Sequence, residues 1–188
     1  MAQNDKLNVL VICGSLRKGS YNASVARALP ALAPANMNLT NASSFGTFPL
    51  YNQDLKDASG EPPDVLTWAS EIRKADGVII VSPEYNWSIP GGLKNAIDWV
   101  SRMKDVPFKD KPVALQSASG GPLGASRMQY HLRQTLVSID AIMFGKPEIF
   151  VSFADKKIEN GELKDQPTKD IVKTQLAAFA KFIAKMKA

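Results

Sequence analysis

Residues 7–24 read LNVLVICGSLRKGSYNAS, and this stretch determines the fold class. Its first seven residues are almost continuously apolar, which is typical of a parallel strand covered on both faces. Gly14 and Ser15 end the run, and a polar turn then leads into a helical pattern. Residues 77–82 (GVIIVS) and 112–116 (PVALQ) are runs of the same kind. These three runs therefore predict buried strands of a parallel sheet.

Two weaker strands and five helical stripes complete the pattern. Residues 37–43 (MNLTNAS) predict a second strand, and residues 142–152 (IMFGKPEIFVS) predict a fifth with a break at residues 145–147. The helical stripes are Val25/Leu29/Leu32, Val65/Ala69/Ile72, Leu93/Ile97/Val100, Met128/Leu132/Leu136/Ile139 and Ile171/Leu176/Phe179/Ile183/Met186. This alternation predicts one α/β domain over residues 1–188, a flavodoxin-like three-layer sandwich whose five-stranded parallel sheet has the order 2-1-3-4-5 with helices on both faces. Residues 43–63 form a long connection, which we expect to be functional or mobile.

The composition indicates a globular protein. Of the 188 residues, 45% are hydrophobic and 22% are charged, and no apolar run is long enough to span a bilayer. The polar N-terminal sequence lacks the apolar core of a signal peptide, so we expect a cytoplasmic protein. Cys13 is the single cysteine, so we expect no internal disulfide. Asp54, Asp57 and Glu61 lack a metal-ligand spacing, so we expect no metal. The net charge of +5 fits an anionic cofactor or substrate, and without a recognisable motif we expect no nucleic-acid partner.

The turn after the first strand has the residues of an anion site. A helix start presents free N–H groups and the positive end of the helix dipole. Ser15 and Ser20 add hydroxyl donors, Asn22 adds an amide, and the Arg17 guanidinium can bind phosphate oxygens. The turn matches neither G-x-x-x-x-G-K-[ST] nor G-x-G-x-x-G. We therefore predict a site for a terminal phosphate monoester, with a plain capped turn as the alternative.

The turns after the third and fourth strands supply aromatic and small residues. Residues 82–95 (SPEYNWSIPGGLKN) carry Tyr85, Trp87 and Ile89, which can line a flat ring. The small residues of 117–127 (SASGGPLGASR) permit close approach by a ligand. All three turns follow strands next to the topological switch point, where ligands of such sheets bind. A phosphate, a polyol chain and a flat heterocycle together describe flavin mononucleotide (FMN).

Four stretches carry a family resemblance. They are GSLRKGSYN (14–22), PLYNQDL (49–55), SPEYNWSIPGGLKNAIDWVSR (82–102) and SASGGPLGASRMQYHLRQTL (117–136). In this order the chain resembles the flavodoxin-like NAD(P)H-dependent FMN reductases, in the branch of chromate and quinone reductases. The resemblance implies non-covalent FMN, with NADPH or NADH as the electron donor. The residues implied for the phosphate end are Ser15, Arg17, Ser20, Tyr21 and Asn22. The residues implied for the ring are Pro83, Glu84, Tyr85, Asn86, Ser117 and Gly120.

The resemblance also implies a reaction. A hydride passes from NAD(P)H to the flavin and two electrons then pass to an acceptor, with no catalytic residue required of the protein. A quinone is the favoured acceptor because it is flat, with chromate as a further possibility, and alternating use of one flavin face predicts ping-pong kinetics. Trp87 and Arg102 are candidate substrate contacts. Homodimers or homotetramers are expected, with Arg127, Tyr130 and Glu148 as candidate contacts.

One alternative function stays open from the sequence. A flavodoxin-type FMN electron carrier would act on a protein partner and have no nicotinamide site, although such carriers are strongly acidic and this chain is basic. A receiver domain would need a cluster of carboxylates after the first strand, where Arg17 and Lys18 lie instead. We expect His131 on a helix surface or interface, and Cys13 in the core.

Overall fold

The computed structural model describes residues 6–187 and contains, within them, a six-stranded parallel sheet and a two-stranded hairpin. The sheet strands are β1 (Leu7–Cys13), β2 (Met37–Asn41), β3 (Gly77–Val81), β4 (Pro112–Ala118), β5 (Ile142–Met143) and β6 (Ile149–Val151). The hairpin consists of β7 (Ile158–Glu159) and β8 (Glu162–Leu163). The sheet order is β2-β1-β3-β4-β5, with β6 also paired to β4. The predicted order is therefore confirmed, and the hairpin is an addition that the sequence patterns did not predict.

Helices cover both faces of the sheet. They are α1 (Tyr21–Leu32), α2 (Gln53–Ser59), α3 (Pro63–Lys74), α4 (Gly91–Ser101), α5 (Ser126–Val137) and α6 (Gln166–Lys187). In β1, Leu10 and Ile12 pack in the same core as α3, α4 and α5, whereas Val9 and Val11 pack in the same core as α1 and α6. This alternation follows from the two-residue period of a strand. The three-layer sandwich is therefore confirmed.

The fifth position of the sheet is divided between two short strands. β5 pairs with the start of β4 and β6 pairs with its end, and residues 145–147 separate them as predicted. β4 continues two residues beyond the predicted end, because Ser117 and Ala118 have Phe150 and Val151 of β6 as ladder partners. Because the strand is broken between β5 and β6, the two short strands pair with both ends of β4, including its last residue Ala118.

The long connection of residues 43–63 is anchored. It contains α2, which the sequence patterns did not predict. The Pro49 carbonyl accepts hydrogen bonds from Trp99 Nε1 at 2.7 Å and from Asn95 Nδ2 at 2.9 Å. The Tyr51 N–H donates to Asn95 Oδ1 at 2.8 Å. These contacts hold the connection against α4.

The helical stripes are confirmed except at single positions of the α5 and α6 stripes. Ile171 and Met186 are exposed, and the buried face of α6 runs through Val172 and Phe179 instead. Ile139 lies after the end of α5 and is only partly buried. Within residues 6–187, no helix is both long and apolar enough to cross a bilayer.

Candidate functional site

The loops that follow β1, β3 and β4 interlock at the carboxyl edge of the sheet. The Gly14 N–H donates to the Val81 carbonyl at 2.8 Å, and the Ser82 N–H donates to the Gln116 carbonyl at 3.0 Å. A Cβ on Gly14 would lie 2.3 Å from the Ser82 Oγ. Glycine is therefore required here for the close approach of the first two loops.

Helix α1 begins directly after the first loop, with Ser20 as its N-cap. The Ser20 Oγ accepts hydrogen bonds from the N–H groups of Asn22 at 3.2 Å and Ala23 at 3.4 Å. The Ser20 N–H in turn donates to the Arg17 carbonyl at 3.2 Å. The Arg17 guanidinium is exposed and lies 5.9 Å from the ring centroid of Tyr21. The cap thus fixes the loop while the cation stays accessible.

The first loop also presents a donor cluster, which we define as its backbone N–H groups without an acceptor among residues 6–187. These N–H groups belong to Ser15, Leu16, Lys18, Gly19 and Tyr21. They lie at the positive end of the α1 dipole. The Ser15 hydroxyl and the Arg17 guanidinium belong to the same loop. Backbone donors, a hydroxyl and a cation together fit the oxygens of a phosphate group.

The Asn22 amide is directed away from the donor cluster. The residue is 2% exposed. Its Nδ2 donates to the Ala118 carbonyl at 2.9 Å, and its Oδ1 accepts from the Ala118 N–H at 2.9 Å. The side chain therefore links the start of α1 to the end of β4, whereas the resemblance implied a contact with phosphate.

The second loop contains a tight turn with two exposed aromatic side chains. Tyr85 and Ser88 exchange backbone hydrogen bonds of 3.1 and 3.0 Å. Between them, Asn86 has φ 50° and Trp87 has φ 65°, as in a type I′ turn. Positive φ is unfavourable for a bulky residue such as tryptophan. Tyr85 is 50% exposed and Trp87 is 66% exposed, so the strained turn presents aromatic surface to a ligand.

The start of α5 supports this turn. The Glu84 Oε2 accepts a hydrogen bond from the Met128 N–H at 3.2 Å, and the Glu84 Oε1 lies 3.4 Å from the Arg127 Nη1. The Arg127 guanidinium also lies over the Trp87 ring, 4.2 Å from its centroid. These contacts offset part of the backbone strain and fix the turn relative to the third loop.

Hydrogen bonds to a buried serine hold the third loop from the core side. The buried Ser117 Oγ donates to the Gly124 carbonyl at 2.6 Å and accepts from the Gln129 Nε2 at 2.8 Å. Gly124 has φ 56°, and a Cβ there would lie 2.7 Å from the Phe150 carbonyl carbon. Gly120 is exposed. Ser117 therefore shapes the loop from inside the fold, and Gly120 is the part that a ligand can reach.

The connection of residues 43–63 contributes to the rim of the first loop. A Cβ on Gly46 would lie 3.3 Å from Leu16 Cδ2, and a Cβ on Gly92 would lie 3.6 Å from Leu16 Cδ1. Leu16 therefore packs between this connection and the start of α4. The connection and the start of α4 thus both lie next to the first loop at Leu16.

Arg102 is not brought to the three loops. α4 begins at the carboxyl edge, and its 11 residues place Arg102 about 16 Å from that edge. There Arg102 borders a separate cleft of about 370 Å³ together with Lys94, Asp98 and Ser101. In this chain Arg102 therefore lies away from the three loops, and the substrate contact predicted for it stays a prediction.

Cys13 and His131 lie beside the loops. Cys13 is half-buried, and its predicted core position is wrong because β2 ends opposite Val11 and leaves the last two residues of β1 without a neighbour on that side. Burial raises the pKa of the Cys13 thiol above its ordinary value, so the thiol stays protonated at neutral pH. His131 is exposed on α5, as predicted, with its Nδ1 3.1 Å from the Ser88 Oγ.

Sequence reasoning predicted free N–H groups at the start of α1 but not which loop residues supply the donor cluster, and it missed Gln129. The cluster consists of backbone groups, and only the loop's conformation shows which of them lack acceptors. Gln129 is fully buried next to the apolar stripe of α5, and nothing in the residue spacing distinguishes it from a solvent-facing glutamine. Burial of an amide is a signal that only the structure provides.

Comparison with known proteins assigns the chain to a family. Residues 7–156 match the family model described as NADPH-dependent FMN reductase. The chain belongs to the NADPH-dependent FMN reductase family. Quinone reductase of Escherichia coli strain K12 is 49% identical to this FMN reductase over 186 residues, covering 98% of this chain and 99% of that protein. An NAD(P)H-dependent FMN reductase of Pseudomonas aeruginosa is 42% identical, with coverage of 98% and 99%.

A solved structure agrees with this family. The flavoenzyme NAD(P)H:(acceptor) oxidoreductase of Paracoccus denitrificans superposes on this FMN reductase with a TM-score of 0.86 and 32% identity. The superposition covers 96% of this chain and 98% of that one. The resemblance read from the motifs is thus confirmed. The protein is an oxidoreductase with FMN as its cofactor and NAD(P)H as its electron donor, which decides against the electron-carrier alternative.

The candidate contact residues of this FMN reductase lie on and next to α5. Arg127 is engaged by Glu84 within the chain. The Tyr130 Oη lies 3.5 Å from the Glu148 Oε2, and the Glu148 Oε1 lies 3.5 Å from the Arg133 Nη2. Tyr130 is 51% exposed. This surface therefore adjoins the start of α5 that supports the second loop.

Proposed function

We propose that this FMN reductase passes two electrons from NAD(P)H to quinones, and that residues 1–188 act as one FMN-binding domain. The observation that carries the proposal is the occurrence, on neighbouring loops, of the donor cluster of the first loop and the exposed aromatic residues Tyr85 and Trp87. The E. coli relative named quinone reductase supports the choice of acceptor.

We propose the first loop as the holder of the FMN phosphate. The Ser15 hydroxyl, the Arg17 guanidinium and the donor cluster would donate to the phosphate oxygens. Ser20 would keep the loop in its shape as the N-cap of α1, and Tyr21 would contribute its backbone N–H. Asn22 would act through its link to β4. The binding energy would come mainly from charge-assisted hydrogen bonds in this loop.

We propose the second and third loops as the holders of the flavin ring. Pro83, Glu84, Tyr85 and Asn86 would line it on one side, and Gly120 would approach its edge, with Ser117 holding that loop from below. When bound, FMN accepts a hydride from NAD(P)H and supplies two electrons to the acceptor. The protein's own contribution is to orient the reactants and to exclude water, because the residues named here include no acid–base or nucleophilic group that the reaction requires.

The aromatic surface of the second loop suits planar reactants. Tyr85 and Trp87 offer exposed rings on which a nicotinamide or a quinone can stack. Because both reactants would need the same surface, we propose that they bind in turn, which gives ping-pong kinetics. The net charge of +5 attracts anions, and we propose chromate as a further acceptor on that basis.

We also propose that the protein forms dimers or tetramers in the cytoplasm. Arg127, Tyr130 and Glu148 are the proposed contacts, since they lie together on the surface next to the second loop. Such an interface would place a second subunit beside the flavin ring. A cytoplasmic location is proposed because the donor NAD(P)H is a cofactor of the cell interior. Analytical ultracentrifugation of the wild type and of Tyr130→Ala tests the assembly.

An anaerobic titration tests the proposed function directly. The protein reconstituted with FMN is titrated with NADPH and then with NADH, and a quinone is added while the visible absorbance of the flavin is followed. We expect rapid bleaching by a nucleotide and recovery on addition of the quinone. Bleaching without recovery would contradict the choice of acceptor, and failure to bind FMN would contradict the site. Parallel lines in double-reciprocal plots are expected for ping-pong kinetics, and chromate is assayed in the same way.

A further inference from the structure

The end of β4 extends beyond the strand that flanks it. β3 pairs with β4 as far as Val81 and Gln116, and the Ser82 N–H adds a last bond to the Gln116 carbonyl. β4 continues to Ala118. Alternate residues of a strand direct their backbone groups to the same side, so the Ala118 N–H and C=O face the side that β3 no longer covers. Buried backbone groups without partners would be destabilising.

Asn22 takes the place of β3 at this point. Its amide oxygen and nitrogen bind the N–H and C=O of Ala118 at 2.9 Å each. Both residues are buried, with 2% exposure each. The two hydrogen bonds join positions that are 96 residues apart in the chain. The start of α1, where the donor cluster lies, is thus connected directly to the start of the third loop.

Two side chains pin the third loop. The first is Asn22, through Ala118, and the second is Ser117, which holds the other end of the loop. The Ser117 Oγ bridges the Gly124 carbonyl at 2.6 Å and the Gln129 Nε2 at 2.8 Å, and the Gln129 Nε2 also donates to the Ile149 carbonyl at 2.8 Å. Residues 119–123 lie between the two pins. The third loop is therefore fixed through Asn22 on the α1 side and through Ser117 on the α5 side.

We infer that Asn22 is a positioning residue that binds the first and third loops into one frame, so that binding of the ring and the polyol chain, as well as of the phosphate, depends on the Asn22–Ala118 link. The inference rests on the proposed FMN site. In this inference Asn22 supports the binding of the whole flavin and does not itself bind the phosphate. Arg17 differs in this respect, because its side chain is exposed and the proposed site gives it a role only at the phosphate.

A comparison of FMN with riboflavin separates the role of Asn22 from that of Arg17. FMN and riboflavin share the ring and the polyol chain, and only FMN has the phosphate. Asn22→Ala is expected to weaken the binding of both flavins about tenfold, so that the ratio of their dissociation constants stays within about twofold of the wild-type ratio. Arg17→Ala is expected to weaken FMN about tenfold or more and riboflavin hardly at all. Ser24→Ala is the matched control for α1, since Ser24 is buried two residues further along and its hydroxyl donates to the Ser20 carbonyl and not to β4.

A second variant adds a signature that general destabilisation does not produce. Asn22→Asp keeps the shape of the side chain, but a carboxylate cannot donate to the Ala118 carbonyl. A protonated carboxyl group can both donate and accept, and burial favours that form. Riboflavin affinity of Asn22→Asp is therefore expected to recover as the pH falls, while the wild-type affinity stays level. Riboflavin is the probe here because it has no phosphate that titrates.

Each result of these flavin titrations either supports or overturns the inference. Loss of FMN affinity in Asn22→Ala with unchanged riboflavin affinity would show a phosphate contact and overturn the inference, as would unchanged affinity for both flavins. If Asn22→Ala fails to fold by circular dichroism, Ser117→Ala removes the other pin, and the same constant ratio is expected. An altered ratio in Ser117→Ala would then overturn the frame. A wild-type protein that binds neither flavin would instead contradict the proposed function.

Discussion

The two edges of the sheet contain the opposite ends of the same helices. At the amino edge, where the helices end, cations meet the free carbonyls. The Lys111 Nζ donates to the Arg73 carbonyl at 3.2 Å and to the Ala75 carbonyl at the end of α3. At the end of α6, the Lys187 Nζ lies 2.6 Å from the Asp76 carboxylate. The polar groups of this edge thus find partners within the chain.

At the carboxyl edge, comparable groups lack partners. The donor cluster of the first loop has no acceptors within residues 6–187, and α4 begins after Pro90 without a side-chain cap. A fold that satisfies one edge and leaves donors free on the other can bind an anion there without rearrangement. We therefore expect substitutions at the amino edge to change stability and substitutions at the carboxyl edge to change binding, except where the carboxyl-edge loops interlock.

The largest effect is expected where the loops interlock, at Gly14. In Gly14→Ala, the new Cβ would lie 2.3 Å from the Ser82 Oγ and 2.6 Å from the Ser82 Cβ. We expect a loss of about 2–3 kcal/mol in the free energy of unfolding, because the overlap separates two tightly packed loops, and a loss of FMN binding. Urea denaturation and flavin titration measure the two effects. Adding Ser82→Gly to Gly14→Ala removes the two shortest overlaps and leaves the Leu93 Cδ2 at 3.1 Å, so it should restore most of both, and an unchanged Gly14→Ala variant would contradict the interlock.

Arg17 tests the binding side of the comparison. In Arg17→Ala, FMN affinity is expected to fall about tenfold to thirtyfold, or about 1.4–2 kcal/mol, because a charge-assisted hydrogen bond is lost. The free energy of unfolding of the flavin-free protein is expected to change by less than about 0.5 kcal/mol, since the side chain is exposed. Flavin titration and denaturation measure the two. Lys18→Ala, which removes the neighbouring exposed charge, is the control, and an equal loss of affinity in both variants would indicate general attraction rather than a specific contact.

The sequence predicted most of the framework because the framework depends on regular patterns. Continuous apolar runs indicated β1, β3 and β4, and the resulting topology brought the phosphate loop and the aromatic loop to one edge of the sheet. The partner of Asn22 was not predictable, because the Ala118 contact depends on β4 extending past the end of β3. That extension in turn depends on β6, which is a strand of three residues after a break.

Long-range and end effects also limited the prediction of single residues. Cys13 follows the last position at which β1 pairs with β2, so its side chain is less covered than those before it. Arg102 follows the motif in sequence, but the length of α4 carries it to the other end of the helix. The strain at Trp87 depends on backbone angles that tryptophan itself does not favour. In each case the type of the residue could be read from the sequence, but the packing and backbone geometry around it could not.

Asp76 tests the stability side of the comparison. Burial opposes its ionisation, but hydrogen bonds from Lys187 and from the Asn8 N–H outweigh burial and lower the pKa of Asp76 below its ordinary value. The stabilisation is therefore complete above the unfolded-state pKa of about 3.9 and is lost as the pH falls through the lower folded-state pKa. Asp76→Asn is expected to cost about 1 kcal/mol at neutral pH and almost nothing once the pH is below the folded-state pKa of Asp76.

Denaturation of Asp76→Asn at several pH values, beside FMN titration, measures this effect. FMN affinity is expected to stay unchanged, because Asp76 lies at the opposite edge from the donor cluster. Glu159→Gln removes a carboxylate of the hairpin that is exposed, and it serves as the control for net charge. A difference between wild type and Asp76→Asn that grows as the pH falls would contradict the direction of the pKa shift.

The smallest change in stability is expected at Trp87. Trp87→Gly relieves a positive φ at a gain of about 1 kcal/mol, and it loses the stacking of Arg127 at a cost of about 0.5–1 kcal/mol, so the two nearly cancel. Trp87→Ala loses the stacking but keeps the unfavourable φ, and it should be less stable than Trp87→Gly by about 1 kcal/mol. Equal stability of the two variants would argue against strain.

Trp87→Gly and Trp87→Ala both lose the exposed ring, so steady-state kinetics should show the same rise in KM for a quinone. A higher KM at unchanged stability would mean that this turn of the carboxyl edge contributes to substrate binding and hardly at all to folding.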